Sequence, residues 1–464
     1  MILTDEQCYK ALLSHDTRFD GRFFTCVSST GIYCRPVCTA IVPKRRNCLF
    51  VASAAEAEQK GFRPCLRCRP EYAPKDQSSH AASLVDAMAN YIDETLLIDE
   101  TLGQMYTRFK VSDRHARRLF LQALGIEPKQ YLTSRRLLFA KQLLQDTSLS
   151  IVDVAFAAGF NSRGRLTINM RQVYGFTPER LRKETERMAV QSIRLRTDYR
   201  PPFNWFALLD FLAGRATSAE WISDGSYHRI VNGHEIIVTN DATKNCLFIA
   251  LPPQLTKQSY AIIQSVRRLC DLDANPLVIE AALSQDPLLK KLTQRYPGMR
   301  VAGCWDKFEM VLRVIVGQQV SVAAATTIMR RIVDTIGSTP AEIAASTPEL
   351  IASMGMPLRR AQTIHMIGNL VQDGMLNLDE RDPQLFYDQL VALPGIGPWT
   401  AEYLQMRVLG WPDAFPAGDL GLQKAIIPNS RISERKLRDQ AARWRPWRSY
   451  ATLLLWKSLE NKGG

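Results

Sequence analysis

Cysteines are concentrated at the start of this chain. Seven of the ten cysteines lie within the first 68 residues. Three residues separate Cys34 from Cys38, two separate Cys65 from Cys68, and 26 residues lie between these pairs. Two such pairs can supply four thiolates in a tetrahedron, the arrangement that Zn²⁺ takes in closed structural sites. In a reducing compartment this clustering favours a metal site over disulfides. The spacing alone therefore predicts zinc, most simply in a structural role.

The composition is that of a large, positively charged globular protein. A length of 464 residues suits about three domains. A hydrophobic content of 46% excludes a wholly disordered chain. The 59 Lys and Arg exceed the 46 Asp and Glu and leave a net charge of +13. This excess favours a polyanionic partner, either nucleic acid or an acidic membrane surface. No apolar stretch approaches the roughly 20 residues of a membrane helix, so we expect no membrane partner and a cytoplasmic location.

The residue pattern changes along the chain and predicts four segments. The first is rich in cysteine, glycine and proline, the second reads as helices with most of the excess positive charge, the third is β-rich, and the fourth returns to long apolar helices. The predicted boundaries are 1–74, 80–187, 193–282 and 283–464.

Two helix-turn-helix patterns lie in the second segment. Ser112 is a suitable N-cap for one helix, and Ser162 for another that runs to about Tyr174. Each helix leaves a polar face that could read base edges in a major groove, where Arg recognises guanine and Asn or Gln recognises adenine. The residues on these faces are His115, Arg118 and Gln122 on the first helix and Arg165, Asn169 and Gln172 on the second. A solvated helix face has the same pattern, so the residues alone leave both interpretations open.

A glycine hairpin marks the fourth segment, in LPGIGPWTAEY (Leu393–Tyr403). Gly395 and Gly397 allow a tight turn whose backbone N–H groups, at the start of the next helix, could clamp a phosphate. This hairpin is also a candidate site for a monovalent cation. Asp419 follows in a short loop, and WRPWRSYA comes later. Aromatic and cationic side chains together suit the binding of an extruded base, although the same aromatics could equally form a core.

The front half of the chain resembles Ada, the bacterial adaptive-response family. The segments TGIYCRPVC and GFRPCLRCRP, with FDG before them, are similar to its metal-binding domain. The resemblance implies four zinc ligands, Cys34, Cys38, Cys65 and Cys68. It also implies that Cys34 accepts a methyl group from a methylphosphotriester in DNA. The candidate phosphate contacts beside this site are Arg35, Lys44, Arg45 and Arg46, although such charges are as often simply solvated. The order RRLLFAKQLL, SIVDVAFAAGFNS, VYGFTPERLR resembles the AraC-type regulator domain, which is also the second domain of Ada.

The rear half resembles the AlkA-type 3-methyladenine DNA glycosylases of the helix-hairpin-helix superfamily. The similarity runs from about Leu195 to the end and includes GCWDKFEMVLRVIVGQQVSVAAA, the hairpin, the Asp419 loop and WRPWRSYA. It implies Asp419 as the catalytic carboxylate. The aromatic residues that it implies around the base are Trp399, Tyr403, Trp447 and Phe211.

Three details refine this resemblance. Trp399 stands where bifunctional relatives carry a catalytic lysine, so the expected enzyme is monofunctional and leaves an abasic site. Gln319 stands where AlkA-type enzymes insert an apolar side chain into the base stack, so the chain would have a polar wedge. Ada's Pro-Cys-His-Arg motif, its O6-methylguanine acceptor, is absent from this sequence.

These observations predict a multidomain α+β protein. The four parts are a small zinc-binding α/β domain, an all-α tandem helix-turn-helix domain, a β-rich TBP-like subdomain and an all-α helix-hairpin-helix glycosylase domain. The expected function combines repair of alkylated DNA with transcription activation. Its expected partners are double-stranded DNA and RNA polymerase, and we expect a monomer. The alternatives are a regulator with an inert rear half and a repair enzyme whose front half only targets lesions.

Overall fold

The cysteine-rich segment folds as a small α/β arrangement in the computed structural model, which describes residues 3–75, 83–183, 193–426 and 433–460. The elements are α1 (Asp5–Leu13), β1 (Phe24–Val27), β2 (Ile32–Cys34), β3 (Cys48–Val51), α2 (Ala54–Gln59) and β4 (Arg63–Pro64). The four strands form a sheet in the order β3-β1-β2-β4, in which β1 pairs antiparallel with β2 and β3, and β2 pairs parallel with β4. The predicted α/β architecture is confirmed.

The second segment is helical, as predicted. Its helices are α3 (Leu84–Thr95), α4 (Leu102–Arg108), α5 (Asp113–Leu124), α6 (Pro128–Asp146), α7 (Ile151–Ala157), α8 (Arg163–Tyr174) and α9 (Pro178–Lys183). The hydroxyls of Ser112 and Ser162 cap α5 and α8 by accepting backbone N–H groups. Gly125 and Gly175 end the same two helices in left-handed conformations. The two predicted serine caps and the predicted end of the second helix at Tyr174 are thus observed.

The third segment holds the remaining strands of the described residues. The elements are β5 (Ile193–Asp198), α10 (Trp205–Ala213), β6 (Glu220–Ser223), β7 (Ser226–Val231), β8 (His234–Asp241) and β9 (Cys246–Leu251). Strand β9 pairs antiparallel with β5 and with β8, and β6 pairs antiparallel with β7. The predicted β-rich subdomain is present.

The rest of the chain is helical. The helices are α11 (Ser259–Leu269), α12 (Pro276–Leu283), α13 (Pro287–Arg295), α14 (Lys307–Val316), α15 (Val322–Thr335), α16 (Pro340–Ala345), α17 (Pro348–Ser353), α18 (Leu358–Gln372), α19 (Pro383–Val391), α20 (Pro398–Arg407), α21 (Leu420–Ile426), α22 (Glu434–Ala441) and α23 (Arg448–Glu460). Six of them begin with proline, which has no N–H to lose and whose fixed φ suits the first helical position.

The chain divides into two compact units. Unit 1 comprises residues 1–200 and 233–264, and unit 2 comprises residues 201–232 and 265–464. Unit 2 contains two hydrophobic clusters, one built largely from α14, α15, α18 and α20, the other from α12, α13, α21 and α23. The predicted boundary at residue 187, and the junction near residue 80, lie outside the described residues. The other domain boundaries stay predictions. Within the described ranges, no helix combines the length and hydropathy needed to cross a membrane.

Candidate metal centre and active site

The four cysteines of the two short-spaced pairs converge on one point. Cys34 ends β2, and Cys65 directly follows β4, which pairs with β2. The four sulfur atoms, those of Cys34, Cys38, Cys65 and Cys68, all lie within 4.8 Å of one another. Sulfurs bound to one Zn²⁺ at about 2.3 Å would be about 3.8 Å apart in a tetrahedron. The cluster therefore fits a single zinc ion, and four thiolates this close would repel one another without a cation.

The sulfur of Cys68 accepts a backbone hydrogen bond, which Arg35 N–H donates at 3.3 Å. Cys34 and Cys68 are partly exposed residues, whereas Cys38 and Cys65 are buried.

The remaining front cysteines are buried away from the cluster. Cys8, Cys26 and Cys48 pack in the core. Burial raises the pKa of the Cys8 thiol to about 11 and that of the Cys26 thiol to about 12. Such thiols stay protonated at neutral pH, so they are poor nucleophiles and poor metal ligands.

One predicted phosphate contact beside the cluster is wrong. Arg35 is buried, with 5% of its surface exposed, and its guanidinium pairs with the carboxylates of Asp20 and Asp198. A guanidinium already neutralised inside the protein cannot contact a DNA phosphate. Lys44 and Arg46 are exposed, and Arg45 forms an ion pair with Asp5 at 2.9 Å. Their contacts with phosphate stay predictions.

The two predicted DNA-reading faces lie on α5 and α8. Arg118 and Gln122 on α5, and Arg165 and Gln172 on α8, are exposed. The remaining two predicted residues are more constrained. His115 is half-buried, with its ring 3.1 Å from a nitrogen of Arg118, and the half-buried Asn169 donates its amide to the carbonyl of Arg165 at 2.8 Å. The structure thus presents each set on one helix, and their role in base recognition stays a prediction.

Three N–H groups hold the carboxylate of Asp419 in a fixed orientation. Trp399 Nε1 donates to Oδ2 at 3.2 Å, and Trp456 Nε1 donates to Oδ1 at 2.9 Å. The backbone N–H of Leu422 also donates to Oδ1 at 2.9 Å, so that Asp419 caps the start of α21. Trp399 lies at the margin of one hydrophobic cluster of unit 2 and Trp456 at the margin of the other. Asp419 therefore lies where the two clusters meet.

Aromatic rings surround this carboxylate. The rings of Trp399 and Tyr403 stack with centroids 5.4 Å apart, and Tyr403 lies 6.0 Å from Trp456. The ring centroid of Trp447 instead lies 6.0 Å from that of Tyr450, and Trp447 packs against the hydrophobic cluster that contains α23. These contacts do not support a place for Trp447 beside the base, which stays a prediction. Sequence reasoning missed Trp456 because it lies in an apolar helical run, LLLW, which is typical of a core.

Phe211 lines a cavity of about 190 Å³ together with Arg215, Arg407 and Trp456. The guanidinium carbon of Arg215 lies 3.7 Å from the centroid of the Phe211 ring, and that of Arg407 lies 4.9 Å away. Arg407 also donates to the hydroxyl of Tyr403 at 2.7 Å. The structure thus links Phe211 to the aromatic group around Asp419 through a guanidinium. A positively charged base would share this wall with two existing cations.

The glycine hairpin has the geometry that its sequence predicts. Gly395 has a φ of +87°, in the left-handed region that favours glycine, and Gly397 caps the start of α20. The neighbouring loop contains Gln318, whose amide donates to the carbonyl of Gly395 and to the hydroxyl of Thr400, both at 3.1 Å. Binding of phosphate or of a monovalent cation at this hairpin stays a prediction.

Replacing Gly395 by alanine is expected to destabilise unit 2 by about 1–3 kcal/mol, the usual range for a strained backbone position. An added Cβ would also lie 2.4 Å from the side-chain oxygen of Thr363. Gly397→Ala is the matched control, because its Cβ would meet nothing within 4 Å. Thermal unfolding measured by circular dichroism should show a lower midpoint for Gly395→Ala alone. Equal midpoints for the two variants would contradict this account.

Gln319, the predicted wedge, lies at an exposed position between α14 and α15. Its φ of +58° is uncommon for a residue with a side chain. Such conformations are held by their surroundings and cluster at functional sites. The strained, exposed position suits a side chain that enters a base stack, and this role stays a prediction.

The chain matches four protein families along its length. These are the metal binding domain of Ada at residues 7–71, a helix-turn-helix domain at 105–184, the AlkA N-terminal domain at 193–306 and the HhH-GPD superfamily of base excision DNA repair proteins at 312–448. A probable bifunctional transcriptional activator/DNA repair enzyme AlkA of Mycobacterium tuberculosis is 36% identical over 98% of this chain and 97% of its own length. The chain belongs to this family of bifunctional activators and repair enzymes.

Further comparisons concern the rear half. The DNA-3-methyladenine glycosylase 2 of Escherichia coli is 34% identical over 56% of this chain and 95% of its own length. The solved 3-methyladenine DNA glycosylase of Archaeoglobus fulgidus has a TM-score of 0.50 and 22% identity, covering 56% of this chain and 96% of that one. This second likeness shows a shared fold.

The findings together confirm the predicted family and fold class. This member of the bifunctional family is a DNA-binding DNA glycosylase that acts in alkylation repair and its regulation. It holds one Zn²⁺ on the four clustered cysteines. The alternative of an inert rear half is therefore not favoured.

Proposed function

We propose that Cys34 irreversibly accepts a methyl group from a methylphosphotriester in DNA, and that this transfer switches on DNA binding and transcription. We also propose that the rear half hydrolyses the N-glycosidic bond of alkylated purines of the 3-methyladenine type, with Asp419 as its catalytic carboxylate. The observation that carries the first proposal is the cluster of four cysteine sulfurs, all within 4.8 Å of one another, inside the match to the metal binding domain of Ada; the choice of Cys34 as acceptor follows from the resemblance of TGIYCRPVC to that domain. The orientation of Asp419 by two indoles carries the second.

Cys34 is the first cysteine of the motif that resembles the metal-binding domain of Ada, and this position assigns it the acceptor role. Bound zinc would keep all four thiols deprotonated at neutral pH. The sulfur of Cys34 then bonds to the methyl carbon while the carbon–oxygen bond breaks, and the phosphodiester leaves with the bonding electron pair as an anion. The transfer is stoichiometric, because the thioether that forms has no route back.

The transfer also changes the charge of the centre. Zn²⁺ with four thiolates carries a net charge of about 2−, and conversion of one thiolate to a thioether leaves about 1−. Less repulsion toward the phosphate backbone should then raise the affinity for DNA. The exposed faces of α5 and α8 would supply the promoter contacts, and RNA polymerase would be the partner in activation.

The glycosylase step follows from the position of Asp419. Alkylation at a purine ring nitrogen makes the base a better leaving group, so that the bond from C1′ to the base breaks with both electrons going to the base. The carboxylate of Asp419 stabilises the positive charge that develops on the sugar. Water then adds to C1′, and the proton that it loses passes to solvent. Trp399 offers no amine for a Schiff base, which supports a monofunctional enzyme that leaves an abasic site.

Promoter affinity before and after methyl transfer tests the switch. We expect full-length protein to bind its promoter duplex at least about tenfold more tightly after exposure to methylphosphotriester DNA, because repulsion at the centre is reduced. Fluorescence anisotropy at fixed salt measures this, and intact mass with metal analysis should show one added methyl group and one zinc per chain. Equal affinity in both states, with the methyl present, would instead favour a front half that only targets lesions.

A further inference from the structure

One residue, Arg35, joins the two cysteine pairs of the metal centre through its backbone and its side chain. Arg35 lies between Cys34 and Cys38 in sequence, and its carbonyl accepts the N–H of Cys38 at 3.1 Å. Its own N–H donates to the sulfur of Cys68, and its guanidinium donates to the carbonyl of Cys68 at 3.2 Å. Arg35 therefore fixes the spacing between the first pair and the second.

The guanidinium of Arg35 is anchored from two directions. The carboxylate of Asp20, in the front domain, accepts a hydrogen bond from Nε of Arg35 at 2.9 Å and forms an ion pair with its Nη2. Asp198, the last residue of β5, accepts Nη1 at 2.8 Å. The other oxygen of Asp198 accepts Arg196 Nε at 2.6 Å. Arg35, Asp20 and Asp198 are each at most 5% exposed, so this network of charges is buried.

Asp198 does not come from the domain that carries the cysteines. It lies in the match to the AlkA N-terminal domain, which begins at residue 193, whereas the match to the Ada metal-binding domain ends at residue 71. The segments 1–200 belong to a single compact unit of this protein. A residue beside the metal ligands thus makes a contact that an isolated metal-binding domain could not make.

We propose that Asp198 is a positioning residue of the metal centre, so that the first strand of the glycosylase half completes the methyl-acceptor site. Asp198 pairs with both Arg35 and Arg196, so without its carboxylate these two guanidiniums keep only Asp20 as a shared counterion, and the excess positive charge drives Arg35 toward solvent or a new partner. Because the backbone of Arg35 bonds to Cys38 and Cys68, that shift moves two of the four ligands. Mutation of a residue that orients metal ligands without binding the metal commonly lowers metal affinity or activity about 10- to 100-fold.

The test compares full-length Asp198→Asn with wild type and with Asp93→Asn. Asp93 is a matched control in the same unit, since it is 8% exposed and pairs with Arg135 at 2.7 Å, but belongs to α3. A chromogenic chelator in excess measures the rate of zinc release, and intact mass measures the rate of methyl uptake. We expect Asp198→Asn to release zinc at least about tenfold faster than either comparison protein, and to take up methyl correspondingly more slowly.

A conservative variant separates positioning from general instability. Asp198→Glu keeps the charge, so its zinc release should fall between wild type and Asp198→Asn, and it serves as the test if the asparagine variant does not fold. Zinc release at the wild-type rate from both Asp198 variants would overturn the proposal. So would equal acceleration in Asp198→Asn and Asp93→Asn with equal losses of thermal stability. The expected change in methyl uptake rests on the proposed acceptor role of Cys34. If Asp198→Asn releases zinc faster but even wild type takes up no methyl group, the acceptor role is refuted and the role of Asp198 in positioning the zinc ligands is still supported.

Discussion

Asp419→Asn is expected to slow the release of an alkylated purine about 10²- to 10³-fold, the usual cost of losing one preorganised electrostatic group. The amide has the shape of the carboxylate but lacks the negative charge that stabilises the sugar cation. A duplex with a single 3-methyladenine or hypoxanthine, under single-turnover conditions, gives the rate. Alkaline cleavage at the abasic product provides the readout.

Two controls make this experiment decisive. Asp439→Asn removes the same charge from an exposed position on α22 of the same unit, and it should release the base at the wild-type rate. Circular dichroism should show that Asp419→Asn is folded, although its amide cannot accept from every N–H donor around it. Base release by Asp419→Asn at the wild-type rate would exclude Asp419 as the catalytic carboxylate. No release by wild type from either lesion would refute the proposed substrate class.

Cys34→Ser is expected to abolish methyl uptake from methylphosphotriester DNA. A serine hydroxyl stays protonated at neutral pH and is a far weaker nucleophile than a zinc-bound thiolate. Intact mass after incubation with methylated DNA measures the uptake. The same variant should still excise alkylated bases, because Asp419 and its indole partners lie in unit 2, whereas Cys34 lies in unit 1.

Cys48→Ala is the matched control for this loss. Cys48 is a buried thiol outside the zinc cluster, and alanine preserves an apolar side chain at that position. Its methyl uptake should equal that of wild type. A normal increase in mass for Cys34→Ser would show that another sulfur is the acceptor, and peptide mapping would then identify that residue.

Local patterns predicted much of this protein. The zinc ligands, the serine caps of α5 and α8 and the turn at Gly395 depend on residues close in sequence, whose spacing restricts the backbone directly. Patterns of this kind identify the elements well. They identify side-chain neighbours less well, because an aromatic or charged residue can serve a core or a site equally.

Two residues illustrate that limit. The motif WRPWRSYA pointed to Trp447, whose place beside the base stays a prediction, but no motif pointed to Trp456, which donates to Asp419. Arg35 lies beside a metal ligand and was expected at the DNA surface, yet it is buried between two carboxylates. The neighbours of each side chain depend on which distant segment of the chain packs against it. The spacing of residues within one motif does not predict that packing.

The sequence by itself determined the order of domains, the four zinc ligands and the helix caps, because each depends on short-range geometry or on motifs that keep their spacing. Only the tertiary structure decided that the strand after residue 193 reaches the metal centre, through a contact between residues 163 positions apart. A buried ion pair requires both partners to leave water together. That condition is met only when the folded chain brings Arg35 and Asp198 into contact.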